Sequence, residues 1–177
     1  MYDDQRCFTS QASLSQRSLS SDCLDHLRGV IYELETNKLV CMAFDKFWES
    51  FDHRSAASII DWSSATVTEK CDGSLTKVFS YRGQWRIASN GCISADKAKI
   101  PGSSPPTSVG KLFRQAAAHS FPGGFDELCT HLNPCHTYSF ELCHIRNRVV
   151  VYHSKPRLIH LNTRVQSTGE VRRNFCT

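Results

Sequence analysis

The chain has 177 residues, of which 40% are hydrophobic and 21% are charged, and this balance excludes a wholly disordered protein. Its formal net charge of +4 permits a polyanionic partner without requiring one. No apolar run approaches the roughly 20 residues that cross a bilayer, and the first residues lack the basic and apolar segments of a secretory signal.

The hydrophobic pattern predicts strands that pair as hairpins and are separated by short helices. Residues 1–25 are rich in Ser and Gln and are expected to be flexible, whereas residues 26–177 are expected to form part of a folded domain. Alternation predicts strands, at residues 29–34, 39–43, 74–81, 85–89, 138–145, 149–152 and 158–161. Helical spacing predicts a helix at residues 109–119, and another short helix is expected at 125–132. Residues 44–62 mix aromatic residues, Ala and charges, and one or two short helices are expected there. This order is typical of an α+β fold with antiparallel sheets.

The nine cysteines indicate a reducing compartment rather than a disulfide scaffold. Their number is odd, they are scattered, and no two of them form a Cys-x-x-Cys pair. Secreted disulfide scaffolds are usually shorter, with an even number of cysteines and a signal peptide. We therefore expect free thiols that pack as small apolar side chains, in an intracellular protein of the cytoplasm or nucleus.

The most informative segment is Thr68–Leu75, which reads Thr-Glu-Lys-Cys-Asp-Gly-Ser-Leu. Gly73 allows a sharp turn or a close approach to a ligand, and the charged Glu69, Lys70 and Asp72 are held at one strand end. A lysine amine can attack a phosphoryl or carbonyl centre when desolvation or a neighbouring cation lowers its pKa. A surface turn with an ion pair is the alternative interpretation, which Lys-x-Asp-Gly alone would favour.

A second segment, Tyr138–Ile145, places a carboxylate within a β-prone run. Alternation puts Tyr138, Phe140 and Leu142 on one face, which is apolar enough to be core, and Glu141 on the other. A buried carboxylate needs a ligand, a metal or a cationic partner. An edge strand with one solvent-exposed face would explain the pattern equally well.

Together these segments resemble the covalent nucleotidyltransferases, and in particular the ATP-dependent RNA ligases of the phage tRNA-repair type. Glu69–Leu75 resembles their Lys-x-Asp-Gly adenylation motif, and Phe140–Val151 resembles their Phe-Glu strand and the Asn-Arg-(Ile/Val)-Val segment that follows. Three more segments resemble parts of that family in the same order, at Arg28–Tyr32, Asp45–Glu49 and Arg157–Arg164.

The resemblance implies a nucleotidyltransferase fold that uses ATP and Mg²⁺, with a covalent lysyl-AMP on Lys70. The AMP would pass to the 5′-phosphate of an RNA end, from tRNA or another single-stranded RNA. The resemblance also implies nucleotide-binding roles for six further residues. Glu69 would lie near the adenine, and Asp72 and Gly73 would shape the nucleotide pocket. Glu141 would reach the ribose or its metal side, and Arg28 and Lys46 would contact phosphates. Cys71 is not expected to be a nucleophile, because alternation turns it away from Lys70.

The sequence departs from the family pattern at two places. Ser89-Asn90-Gly91 lacks the Lys or Arg that such ligases often place before this glycine, and neither the later Glu-Gly-x-Val motif nor the Lys-x-Lys pair is present. We therefore expect the front part of the domain, with weak ATP binding and no sealing of RNA ends by the 177-residue chain. We also expect the apolar face that carries Tyr138, Phe140 and Leu142 to be left uncovered.

Two other functions stay open. One is a catalytically inactive relative that binds nucleotide or RNA. The other is a zinc-stabilised interaction module, because a short stretch is dense in potential zinc ligands, namely Cys129, His131, Cys135, His136, Cys143 and His144. Their spacing matches no regular zinc finger or ribbon, which makes this the weaker alternative.

Overall fold

The computed structural model describes residues 7–9, 29–45, 47–52 and 55–173, and these form an α+β structure with two antiparallel sheets. The strands are β1 (Cys7–Thr9), β2 (Ile31–Glu33), β3 (Lys38–Cys41), β4 (Ser74–Tyr81), β5 (Gln84–Ser89), β6 (His136–Cys143), β7 (Arg157–Val165) and β8 (Val171–Arg172). The helices are α1 (Val109–Ser120) and α2 (Gly124–Thr130), with a 3₁₀ turn at Ala56–Ile59. Neither α1 nor α2 is long and apolar enough to cross a membrane.

The small sheet has the order β1-β2-β3, and its β2–β3 pair confirms the predicted first hairpin. Strand β1 was not predicted: three residues of the segment expected to be flexible pair with β2, with Phe8 opposite Tyr32. The rest of residues 1–28 lies outside the described residues. Between Phe44 and Trp62, where one or two short helices were expected, the described residues contain the 3₁₀ turn.

The large sheet has the order β5-β4-β6-β7-β8, so β6 lies at its centre. The predicted β4–β5 hairpin is confirmed and turns through Arg82 and Gly83, whose φ angles are +51° and +72°. Two positive φ angles in a two-residue turn match the right-handed twist of the flanking strands. The β6–β7 register shifts between Ser139 and Phe140, which marks a bulge next to the centre of the sheet.

One face of the large sheet packs against the two helices. Tyr138, Phe140 and Leu142 are at most 3% exposed and join residues of α1 and α2 in the main core. The ring of Phe113 in α1 meets the ring of Phe140 edge-on at 5.8 Å. The expectation of an uncovered face was therefore wrong, because helices inserted between β5 and β6 cover it.

The opposite face of the large sheet packs against the small sheet. Ile31, Val40 and Cys41 of the small sheet form a second apolar cluster with Phe79 and Ala88 of the large sheet. Polar groups join the same two sheets: Arg164 Nε donates to the carbonyl of Ala43 at 3.0 Å, and Gln166 Nε2 donates to that of Val40 at 2.9 Å. The large sheet thus has an apolar face under the helices and a mixed face under the small sheet.

The predicted strand at residues 149–152 was wrong. This segment is irregular and exposed, and it lies within the loop that joins β6 to β7. The amide groups of Val150 and Val151 donate to the Asp72 side chain, so they are not available for a strand ladder. The following strand, β7, is longer than predicted and extends to Val165.

Candidate active site

Lys70 lies in the irregular segment that leads into β4, and it is exposed. Its positive charge acts on two carboxylates, those of Asp72 and Glu141, and favours the ionised form of each. The two carboxylates come from the start of β4 and the far end of β6, which meet because the strands are antiparallel. The fold thus brings Lys70, Asp72 and Glu141 to one end of the large sheet.

Gly73 allows β4 to start in direct contact with β6. A Cβ atom at residue 73 would collide with the carbonyl oxygen of Leu142 and lie 3.3 Å from Cγ of Glu141. Its backbone amide donates to the Glu141 carboxylate, which favours the ionised form of that group. Gly73 therefore positions Glu141 through its backbone, and any side chain here would push β4 away from β6.

Asp72 holds the loop between β6 and β7 against the start of β4. Its Oδ2 accepts hydrogen bonds from the amides of Val150 at 2.8 Å and Val151 at 2.6 Å. These two donors, with a smaller contribution from Lys70, lower the pKa of Asp72. The carbonyl of Asp72 also contacts the ring of His153. The structure thus uses this carboxylate to fix the loop beside Lys70.

Glu141 is half-buried, and this burial raises the pKa of its carboxyl group. Lys70 and the amide of Gly73 oppose the effect by favouring the charged form. A carboxylate in this setting gains from a nearby cation or hydroxyl donor, because its own surroundings solvate it poorly. Glu141 is therefore the site carboxylate that an incoming ligand would affect most.

Asn147 ties the same loop to the strand ends. Its Nδ2 donates to Oγ of Ser74 and to the carbonyl of Leu142, each at 3.0 Å, and its Oδ1 accepts from Ser74 Oγ at 3.1 Å. Asn147 is 6% exposed, so these bonds are sheltered from water. Asn147 belongs to the Asn-Arg-Val-Val segment, for which the family resemblance implied no role, and the structure assigns it to holding the loop.

The remaining expected site residues lie apart or outside the described residues. Glu69 is exposed, and within residues 55–173 it has no hydrogen bond or ion pair that links it to Lys70, Asp72 or Glu141. Arg28 and Lys46 lie outside the described residues, so their expected phosphate contacts stay predictions.

The residues of the zinc alternative do not form a metal centre in the part of the chain that the structure describes. No three side chains of His, Cys, Asp or Glu come together there in a group that could hold a metal ion. Cys129 and Cys143 are buried, and burial raises the pKa of their thiols to about 12 and about 11, respectively. The structure gives no support to the zinc module.

Comparison with known proteins identifies the family. A family model described as RNA ligase matches residues 26–175, which include the expected site residues. The chain belongs to the RNA ligase family. The resemblance read from the short motifs is thereby confirmed over most of the chain.

Two curated relatives of this RNA ligase family chain have related names. It is 29% identical over 156 residues to a protein of Autographa californica nuclear polyhedrosis virus named as a bifunctional polynucleotide kinase/RNA ligase, an alignment of 81% of this chain and 22% of that protein. It is 29% identical over 99 residues to an RNA ligase of Rhodothermus phage RM378, covering 55% of this chain and 22% of the phage protein. The chain therefore spans about a fifth of each relative's length.

Proposed function

We propose that this chain carries the nucleotide-attachment site of an ATP-dependent RNA ligase with the covalent nucleotidyltransferase fold. The observation that carries the proposal is the grouping of Lys70 with Asp72 and Glu141 at one end of the large sheet. The amine of Lys70 is exposed at a fixed strand end, where a nucleotide can reach it, and lysine amines serve as nucleophiles in covalent catalysis. The two carboxylates are suited to bind the hydroxyl groups or the metal of the nucleotide rather than to activate the amine. Membership of the RNA ligase family supports the same assignment.

The proposed first step transfers AMP to the protein. The ammonium of Lys70 first gives one proton to solvent. The resulting amine attacks the α-phosphorus of ATP, a nitrogen–phosphorus bond forms, and the bond from the α-phosphorus to the bridging oxygen breaks. Pyrophosphate leaves with that oxygen, and the amine proton passes to solvent. In the second step an RNA 5′-phosphate oxygen attacks the same phosphorus, and the nitrogen–phosphorus bond breaks. The nitrogen takes up a proton as it leaves, which regenerates Lys70 and gives RNA with AMP joined to its 5′-phosphate.

The other site residues position these groups. Asp72 anchors the β6–β7 loop beside Lys70, which fixes the position of that loop at the strand end. Glu141 faces the site from β6 and is suited to accept a hydrogen bond from a ribose hydroxyl. From the family motif we also propose that Glu69 lies near the adenine and that Arg28 and Lys46 contact phosphates of the nucleotide.

We propose that ATP brings a Mg²⁺ ion with it to this site. They contain no group of three metal-binding side chains, whereas Mg²⁺ in such sites is usually bound by substrate phosphates and one or two carboxylates. Glu141, half-buried beside Lys70, is the best-placed carboxylate for this. The ion would neutralise charge that develops on the phosphates.

The experiment is label transfer from α-labelled ATP to the 177-residue chain, with the labelled peptide mapped by mass spectrometry. We expect AMP on Lys70, no label in Lys70→Arg, and unchanged label in the matched control Lys111→Arg, whose exposed side chain lies on α1. ATP binding without label would instead favour the inactive relative. Label on another residue would contradict the assignment of Lys70.

A further inference from the structure

Three polar side chains form a row across the centre of the large sheet, on the face that packs against the small sheet. Lys77 of β4 lies directly opposite Ser139 of β6, and Ser139 lies directly opposite Asn162 of β7. Directly opposed residues on neighbouring strands project to the same side, with Cβ atoms roughly 5 Å apart. All three are at most 1% exposed. We call these three residues the polar row.

The polar row has unused hydrogen-bonding capacity. Among the described residues, the hydroxyl of Ser139 and both polar atoms of the Asn162 amide have no hydrogen-bond partner. Nearly all buried polar side chains in proteins have such partners. Three unpaired atoms on two adjacent residues therefore point to a missing partner, either a ligand or water.

Lys77 adds a cation without a counter-ion. Its ammonium donates to the carbonyl of Gly29, and no ion pair to it exists within the described residues. The neighbouring thiol of Cys41 does not supply a negative charge, because burial raises its pKa to about 11. Burial also lowers the pKa of Lys77, as expected for an amine that is desolvated without an anion.

Simple packing does not explain a lysine here. The neighbouring cluster between the sheets consists of Ile31, Phe79 and other apolar or small residues. An apolar side chain at residue 77 would fill the same space without the cost of desolvating an amine. The ammonium is useful if an anion can reach it.

The polar row is close to the proposed attachment site. Ser139 lies two residues from Glu141 along β6 and on the same face, a separation of roughly 7 Å. Glu141 in turn lies beside Lys70, at the exposed end of the sheet. The four-carbon stem of Lys77 allows its ammonium to leave Gly29 for a group that enters from that end.

We propose that Lys77, Ser139 and Asn162 form a subsite for a phosphoryl group between the two sheets. Lys77 supplies the charge, and the Ser139 hydroxyl and Asn162 amide donate hydrogen bonds to phosphoryl oxygens. The phosphoryl group belongs either to the triphosphate of the nucleotide or to the 5′-phosphate of an RNA end. This proposal rests on the proposed function and deepens it, because it assigns residues next to the attachment site to one ligand group.

The test measures binding of three probes to the 177-residue chain by calorimetry: inorganic tripolyphosphate, a 5′-phosphorylated oligoribonucleotide, and the same oligoribonucleotide with a 5′-hydroxyl. Lys77→Met and Asn162→Leu replace members of the polar row by apolar residues of similar size. Lys111→Met is the matched control, because it removes the same charge from an exposed position on α1. Thermal unfolding of each variant checks that it is folded.

Expected results separate the two sources of the phosphoryl group. Roughly tenfold weaker tripolyphosphate binding in both polar-row variants, with Lys111→Met unchanged, supports a nucleotide subsite. The same loss confined to the 5′-phosphorylated oligoribonucleotide supports an RNA-end subsite. Wild-type affinity for all probes in folded Lys77→Met and Asn162→Leu would overturn the proposal, as would absence of phosphate-dependent binding by the wild-type chain.

A further variant separates this proposal from the proposed function. Lys70→Arg should lose transfer of label from ATP but keep the affinity for tripolyphosphate. If the wild-type chain takes no label on Lys70 yet the polar-row variants bind the probes more weakly, the proposed function fails and the subsite stands. If label transfer occurs and the polar-row variants bind all probes normally, the subsite fails alone.

Discussion

The carboxylate of Glu33 on the small sheet accepts a hydrogen bond of 2.6 Å from the hydroxyl of Tyr81 on the large sheet. Thr36 and Arg82 donate to the same carboxylate, at 2.5 Å and 3.0 Å. These donors together lower the pKa of Glu33 to about 2, and the hydrogen bond from Thr36 has the largest effect. One side chain thus joins the two sheets at the edge opposite the site end.

Replacing Glu33 should weaken this connection in a pH-dependent way. Because the pKa of Glu33 is lower in the folded chain, its contribution to stability is complete above the usual carboxyl range and is lost as the pH falls toward about 2. We expect Glu33→Gln to lower the melting temperature at pH 7 and to flatten its decline in acid. Thermal unfolding across pH measures this, and equal acid profiles for both proteins would contradict it.

Asp72→Asn should release the β6–β7 loop. The neutral amide oxygen accepts hydrogen bonds more weakly than the carboxylate, so the amides of Val150 and Val151 should exchange with solvent roughly tenfold faster. Hydrogen exchange followed by NMR measures the two amides directly. Amides of α1 serve as the internal control and should keep their exchange rates; unchanged exchange at Val150 and Val151 would refute the anchoring role.

Gly73→Ala should separate β4 from β6 at the site end. The added methyl group collides with the carbonyl of Leu142, and such overpacking costs about 1–3 kcal/mol. We expect loss of label transfer together with lower stability. Gly102→Ala is the control, because its Cβ meets no atom within 4 Å although φ is +66°: it should lose some stability and keep label transfer. Equal label transfer in wild type and Gly73→Ala would contradict the tight contact.

Glu141→Gln should separate stability from activity. Because burial raises the pKa of Glu141, folding disfavours its charged form, and a neutral amide relieves that penalty above the pKa. We expect the melting temperature at pH 7 to be unchanged or higher, while label transfer decreases. Thermal unfolding and label transfer, measured on the same preparation, check the stability and the activity. A destabilised variant with normal labelling would show that Glu141 has a structural role instead.

Cys71→Ala or Cys71→Val should leave nucleotide binding nearly intact. Cys71 lies between Lys70 and Asp72, yet neither substitution changes the lysine, the carboxylate or the glycine of the motif. Equilibrium binding of ATP and a folding check by circular dichroism measure the outcome. A folded variant without ATP binding would mean that the thiol itself contributes to the site.

Local patterns predicted most of the large sheet and its helices. The β4–β5 hairpin, α1 and α2 were found where alternation, the turn at Arg82 and Gly83, and helical spacing placed them. In α1 the prediction succeeded because a favourable cap adds to the pattern, as Ser108 Oγ accepts from the amide of Lys111 at 3.2 Å. Such signals are local, so one sequence is sufficient to recognise them.

The failures came from contacts between distant parts of the chain. Residues 149–152 have the β-branched composition of a strand, but Asp72 takes up two of their amides from a position 78 and 79 residues away. The polar row was missed for a similar reason. Lys77 has an ordinary place in a strand pattern, and its burial depends on the small sheet, which packs over it.

The strand order of the large sheet has a consequence for the chain while it is being synthesised on the ribosome. Strands β4 and β5 and both helices are synthesised before β6, so β4 has an open edge until its central neighbour arrives. An open edge is a template for pairing with other chains, and a charged side chain that points inward is a known protection against it. Lys77 lies in the middle of that edge. The same ammonium that is buried between the two sheets in the finished fold would thus oppose aggregation during synthesis.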